Sequence, residues 1–181
     1  DAAIVERLGK FRIELKPGLN FIVPFLDRVR IVRNVNMKSD VRQDRIDLRE
    51  QIMDIPEQEI ISKDNIQVQV DTIVFYQIVE PYKAVYEISS AVEAIKQLSQ
   101  TTIRNILGEM DLDASLTARE SINGRLRSIL DEATDKWGIK VLRVEIQEIK
   151  PPVELKDSMQ KQMIAERMKR ETITLAEAEK R

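Results

Sequence analysis

The chain has 181 residues, with 29 basic and 31 acidic side chains for a net charge of −2, and contains neither histidine nor cysteine. That composition excludes thiolate and Ser-His-Asp nucleophiles, zinc sites of the usual ligand types, disulfides and a histidine pH switch. Balanced charge and only 4% aromatic residues argue against a nucleic-acid binder, whereas 43% hydrophobic residues suit a folded domain of this length.

In chain order, the first 79 residues read as strands. Short runs at 4–8 and 11–15 flank Gly9-Lys10, and Pro17-Gly18 is a turn dipeptide, proline supplying a fixed φ and glycine a positive one. Residues 21–26, Phe-Ile-Val-Pro-Phe-Leu, form an apolar run whose proline is foreign to a central strand. One reading buries this run in the core as an edge strand and turn. The other dips it into lipid, which makes Phe21, Ile22, Pro24 and Phe25 membrane-proximal.

Strands are also predicted over 29–35 and 46–55. Between them Lys38, Arg42, Arg45 and Arg49 step by four, three and four, with Asp40, Asp44 and Asp47 interspersed. A helix here would carry a basic stripe for anionic lipid or a partner, each cation contributing about 1 kcal/mol near a charged surface. A solvated loop whose aspartates cancel much of its field is the plainer reading. The clearest strand is 66–79, where Val68, Val70, Val74, Tyr76 and Ile78 share one face and Gln67, Gln69, Asp71 and Gln77 the other.

The period then changes. Pro81 opens a short helix through Val85, and Ala91, Ala94, Ile95, Leu98, Thr102 and Ile106 predict an amphipathic helix ending near Gly108. Thr117-Ala118-Arg119-Glu120 fits a capping box for a second helix, whose stripe runs from Ile122 to Trp137 and closes at Gly138. Residues 141–149 return to strand alternation. The expected fold is α+β: a mostly antiparallel, strongly twisted sheet with helices on one face.

Past Pro151-Pro152 no further glycine or proline occurs, and Asp157/Lys161, Glu166/Arg170 and Glu177/Arg181 are i,i+4 pairs with the acid first, each worth about 0.2–0.5 kcal/mol. Leu155, Met159 and Met163 begin a thin apolar seam that suits a partner helix. We therefore divide the chain into a core domain, 1–150, and the start of a long C-terminal helix, 151–181. Ser62-Lys63-Asp64 and Asp111-Leu112-Asp113 read as turn and cap residues, because neither shows an oxyanion hole or a calcium-loop ligand set. Trp137 reads as a core anchor at a helix end. Both termini look cut, without an initiator Met or a closing Gly or Pro, and are expected to lie inside a longer protein.

Several segments, in order, resemble one family. They are Val5-Glu6-Arg7-Leu8-Gly9-Lys10, the Pro17-Gly18-Leu19-Asn20-Phe21-Ile22-Val23-Pro24 run and the Leu98-Ser99-Gln100-Thr101-Thr102-Ile103-Arg104 run. The Asp131-to-Val141 stretch, Val144-Glu145-Ile146-Gln147-Glu148-Ile149 and Met163-Ile164-Ala165-Glu166-Arg167 complete the set. Together they resemble the SPFH, or band 7, family of stomatins, prohibitins, flotillins and HflK-C proteins. One departure is a stretch between Val29-Arg30 and Asp47-Leu48-Arg49, about ten residues longer than the family pattern, which puts family contacts through that loop in doubt.

The resemblance implies a non-enzymatic scaffold without cofactors. It implies a hydrophobic anchor ahead of this core, membrane association with the core in an aqueous compartment, and homo-oligomers that modulate membrane partners such as channels or an NfeD-type protease. A monomeric regulatory module gripping one membrane protease or channel is the alternative.

Overall fold

The computed structural model of the protein describes residues 1–32, 45–152, 155, 168 and 169. Alternating short runs and tight turns at the start build a small antiparallel sheet of β1 (Ala3–Arg7), β2 (Lys10–Leu15) and β3 (Asp27–Val29), in the order β2-β1-β3. Leu8 and Gly9, both at positive φ, make the first turn, and central β1 buries Ile4 and Val5. The register sets Leu15 opposite Ala3 but Asp27 opposite Arg7. Residues 16–26 therefore leave the sheet at one end and rejoin it at the other, beside the Leu8-Gly9 turn.

The larger sheet is β4 (Gln51–Ile61), β5 (Gln67–Ile78) and β6 (Ile139–Lys150), all antiparallel in that order. Its period-two pattern turns Val68, Val70, Val74, Tyr76 and Ile78 inward, as the sequence predicts. Over this face lie α2 (Ala91–Gly108) and α4 (Arg119–Asp135), while α1 (Pro81–Tyr86) and α3 (Leu112–Thr117) are short connectors. Met53, Val74, Ile95, Leu126, Leu130 and Val141 are fully buried and belong to one hydrophobic cluster.

Two local devices lock helix to sheet. Asn123 and Asp131 of α4 accept the main-chain N–H groups of Ile146 and Val141, at 3.1 and 3.0 Å, satisfying polar groups of an edge strand. Gly138 adopts φ +67 while its carbonyl accepts the Val79 and Glu80 N–H groups at 2.9 and 3.0 Å. A Cβ at that position would stand 2.6 Å from both Glu80 Cβ and the Glu80 carbonyl oxygen, so only glycine fits.

The architecture is α+β and antiparallel as expected, with the strands divided between two sheets. Four local expectations are corrected. The strand expected over 46–55 is displaced to Gln51–Ile61, and Pro56 is tolerated because β4 is an edge strand whose register shifts between Ile55 and Gln58. In the described part of the strand expected over 29–35, strand pairing is confined to Asp27–Val29, where Asp27 stands opposite Arg7, and 33–35 lie outside the described residues.

Thr117 forms no capping box. Its hydroxyl lies 3.0 and 3.2 Å from the carbonyls of Asp113 and Ala114, finishing α3, and α4 starts from Ala118 without a side-chain cap. Residues 21–26 form neither a strand nor part of the core. The turn reading of Ser62 and Asp64 stands: Ser62 bonds the Asp64 carboxylate and accepts the Ile66 N–H, and Asp64 accepts the Leu112 N–H at the start of α3. Trp137 packs half-buried against the core.

Candidate functional site: an exposed apolar loop

Between β2 and β3 the chain does the reverse of what a core does. Leu19, Phe21 and Phe25 are 98, 95 and 100% exposed, and Ile22, Val23 and Leu26 are also exposed. Leu8, 81% exposed in the neighbouring turn, stands at the same end of the small sheet as Phe25. A run of exposed apolar side chains of this kind on a small domain marks an interaction surface.

The exposure is enforced. Phe25 holds φ +72 and Leu8 φ +51, a region that costs a side-chain-bearing residue roughly 1–2 kcal/mol. Such a conformation persists only where its surroundings over-determine it, and Asp27 does so here. Its N–H donates to the Val23 carbonyl at 3.0 Å, while its carboxylate accepts the Val23 N–H at 2.9 Å. The same buried carboxylate takes Arg7 Nε at 2.8 Å and pairs with Arg12. The hydrogen bond from Arg7 is the main cause that holds the Asp27 carboxyl down at about 2, and burial opposes it. Every polar tie of the turn thus points inward, and Pro24 and Phe25 face solvent.

At the other end of the loop, the Asn20 amide donates to the carbonyls of Lys16 and Gly18 at 2.8 and 3.1 Å, curling the chain so that Leu19 and Phe21 project. Beside that curl runs a groove of about 380 Å³ whose lining includes Leu15, Lys16, Pro17 and Arg45. A third set of contacts mounts the small sheet on the helical body. Glu6 pairs with Arg30 and accepts the Tyr86 hydroxyl at 2.6 Å, which lowers its pKa, and Phe11 meets Tyr82 edge-on at 4.7 Å. The loop is therefore carried on a braced platform.

Of the residues singled out in the sequence, the structure brings Phe21, Ile22, Pro24 and Phe25 onto one exposed loop. The basic series is not one helical stripe at its described end. Ile46 is taken into a bridge with Ala2, Arg45 is exposed on the groove, and Arg49 turns back onto Asp47 at 2.6 Å. Lys38 and Arg42 lie outside the described residues. So do Met159 and Met163, whereas Leu155 is half-buried against the core. Leu8, Leu19 and the Asp27 clamp were not anticipated, although the alternation of Pro, Gly and apolar residues through 17–26 carried a signal for an exposed turn. Among the described residues no three His, Cys, Asp or Glu side chains are arranged to hold a metal, and no helix is long and apolar enough to cross a membrane.

Comparison with known proteins places these features in a family context. The family model described as SPFH domain / Band 7 family matches residues 1–180. A protein of Methanothermobacter thermautotrophicus is 47% identical over 180 residues, 99% of this chain and 52% of its own length. A stomatin homolog of Pyrococcus abyssi is 42% identical over 180 residues, covering 99% of this chain and 62% of its own. Stomatin-like protein 2, mitochondrial, of Rattus norvegicus is 40% identical over 177 residues, 98% of this chain and 46% of its own. The chain thus spans about half the length of the curated relatives it matches.

Proposed function

Because this chain belongs to the SPFH domain / band 7 family, we propose that it is the membrane-facing core of a non-enzymatic scaffold, in contact with lipid through residues 19–26. The exposed, strapped loop carries this reading. Removing a Leu or Phe side chain fully from water is worth about 1.5–3 kcal/mol, so Leu19, Phe21 and Phe25 together suffice for measurable attachment. Holding the loop in its exposed form beforehand spares the ordering cost that a flexible segment meets on binding. Lys16 and Arg45, which share the groove with Gly18 and Asn20, add attraction for anionic headgroups.

Scaffolding follows from many copies on one surface. Two-dimensional confinement raises effective concentration, so weak lateral contacts suffice to build a patch and to hold membrane partners such as a channel or a protease. The continuation past Leu155, with Met159 and Met163, supplies one such contact as a helix seam. Flotation of the protein with phospholipid vesicles tests the lipid half of the reading. Phe21→Ser with Phe25→Ser lowers the vesicle-bound fraction at least tenfold. Unchanged flotation of that variant contradicts it.

A further inference from the structure

The face of the large sheet turned away from α2 and α4 has no helix packed on it among the described residues, and its side chains divide into two zones. One is apolar. Ile52 is 58% exposed beside the half-buried Phe75, and Ile73 is half-buried further along β5. Arg143 of β6, opposite Phe75, lays its guanidinium 4.2 Å from the centre of that ring. The other zone is acidic: Asp54 stands opposite Ile73, and Glu148 opposite Asp71. Lys150 serves Glu57 at 2.9 Å and Glu148 at 3.8 Å, while Asp54 and Asp71 have no ion pair among the described residues. The neighbour of Asp71 is the Gln147 side-chain amide, which donates to both carboxylate oxygens at 2.9 Å and brings no charge. Burial first, and then the Asp54 carboxylate, raise the Asp71 carboxyl above its ordinary value, as an undercompensated negative field does.

An apolar centre bordered by polar and charged groups is the layout of a protein contact surface. We propose that this face docks a basic, apolar-containing segment of another protein, its cations against Asp54, Asp71 and Glu148 and its apolar side chains on Ile52, Ile73 and Phe75. Segments that flank the membrane spans of integral proteins have this composition, with Lys and Arg close to the aromatic residues of the interface. The occupant is such a juxtamembrane segment of a membrane partner. The inference rests on the scaffold reading and gives it a surface on which a partner is held.

Phe75 and Ile73 supply the desolvated floor that a bare charge contact lacks, and Arg143 shows that a guanidinium rests on that floor. Lipid does not suit the same face, because anionic headgroups attract cations and the unpaired groups here are carboxylates. The contact weakens with salt, since exposed charges are screened beyond about 8 Å at physiological ionic strength. Its apolar part does not, so the docked segment needs both kinds of side chain.

Fluorescence anisotropy of a labelled synthetic peptide of alternating Lys and Leu, titrated with the protein at low and high salt, tests this. The wild type is expected to bind it, more weakly at high salt, and to leave a peptide of alternating Glu and Leu unbound. Asp54→Lys with Glu148→Lys and, separately, Ile52→Ser change exposed positions of the face, and each is expected to weaken binding about tenfold. Glu132→Lys with Asp135→Lys makes the same change of net charge at exposed positions of α4 and leaves binding as it was. A wild type that does not bind the Lys-Leu peptide overturns the docking surface, as does an equal loss in the α4 variant. Sedimentation velocity of the same samples checks the occupant: self-association lost only in the sheet variant assigns the face to a second copy and overturns the proposal. Vesicle flotation keeps the two readings apart. A wild type that floats without binding the peptide refutes the surface alone, and one that does not float refutes the membrane reading.

Discussion

The two sheets treat their apolar residues in opposite ways. In the large sheet Met53, Val74 and Val141 vanish beneath α2 and α4, and polar side chains dominate the exposed face. In the small sheet only β1 buries its side chains well, while Leu8, Leu19, Phe21 and Phe25 project into solvent around a clamp of buried charge at Asp27. One region buries its apolar side chains in folding and the other leaves them exposed, which we propose serves a second surface. Substitutions in the two regions should therefore separate stability from attachment.

The largest effect belongs to the core. Leu126→Ala is expected to cost about 2–5 kcal/mol, read as a lower denaturant midpoint, with vesicle binding per folded molecule unchanged. Gly138→Ala follows at about 2 kcal/mol or more, because the added Cβ meets Glu80 Cβ and its carbonyl oxygen at 2.6 Å in a backbone region glycine favours.

The clamp lies between the two regions. The Asp27 carboxyl is depressed from an ordinary 3.8 to about 2, so its ties contribute fully above pH 4 and are lost as pH falls toward 2. Asp27→Asn should lower the denaturant midpoint at pH 6, and its gap to the wild type should close between pH 4 and 2. A gap that stays constant across that window dissociates the clamp from the carboxylate. The smallest stability effect is at the tip: Phe21→Ser with Phe25→Ser changes folding stability by no more than about 0.5 kcal/mol per site while vesicle binding falls. A large loss of stability there would mean the loop is core after all.

The strands and helices with a full period were legible. Residues 66–79 alternate so regularly that the burial of β5 follows from them, and the stripe from Ala91 to Ile106 places α2. What was not legible depended on distant partners. The strand predicted over 46–55 stops short of Pro56, which β4 accommodates as an edge strand with a register shift. Thr117 looks like a cap because the sequence does not show that its hydroxyl is already engaged in closing α3. The loop was legible as an alternative between core and lipid. What decides its exposure is Asp27, whose partners Arg7 and Arg12 lie 20 and 15 residues away in sequence. The open sheet face was half visible, as Gln67, Gln69, Asp71 and Gln77. Its acidic rim needed the cross-strand register of β4 and β6.

The central claim is that the loop of the small sheet, and not the helical body, enters lipid. With no native cysteine, the chain accepts a single environment-sensitive fluorophore at Leu19→Cys or, on the outer surface of α4, at Ile129→Cys. Both labelled proteins are mixed with phospholipid vesicles carrying a quencher in the acyl chains. The account predicts a blue shift and strong quenching at position 19 and neither at position 129. Equal quenching at both sites, or quenching at 129 alone, would contradict it.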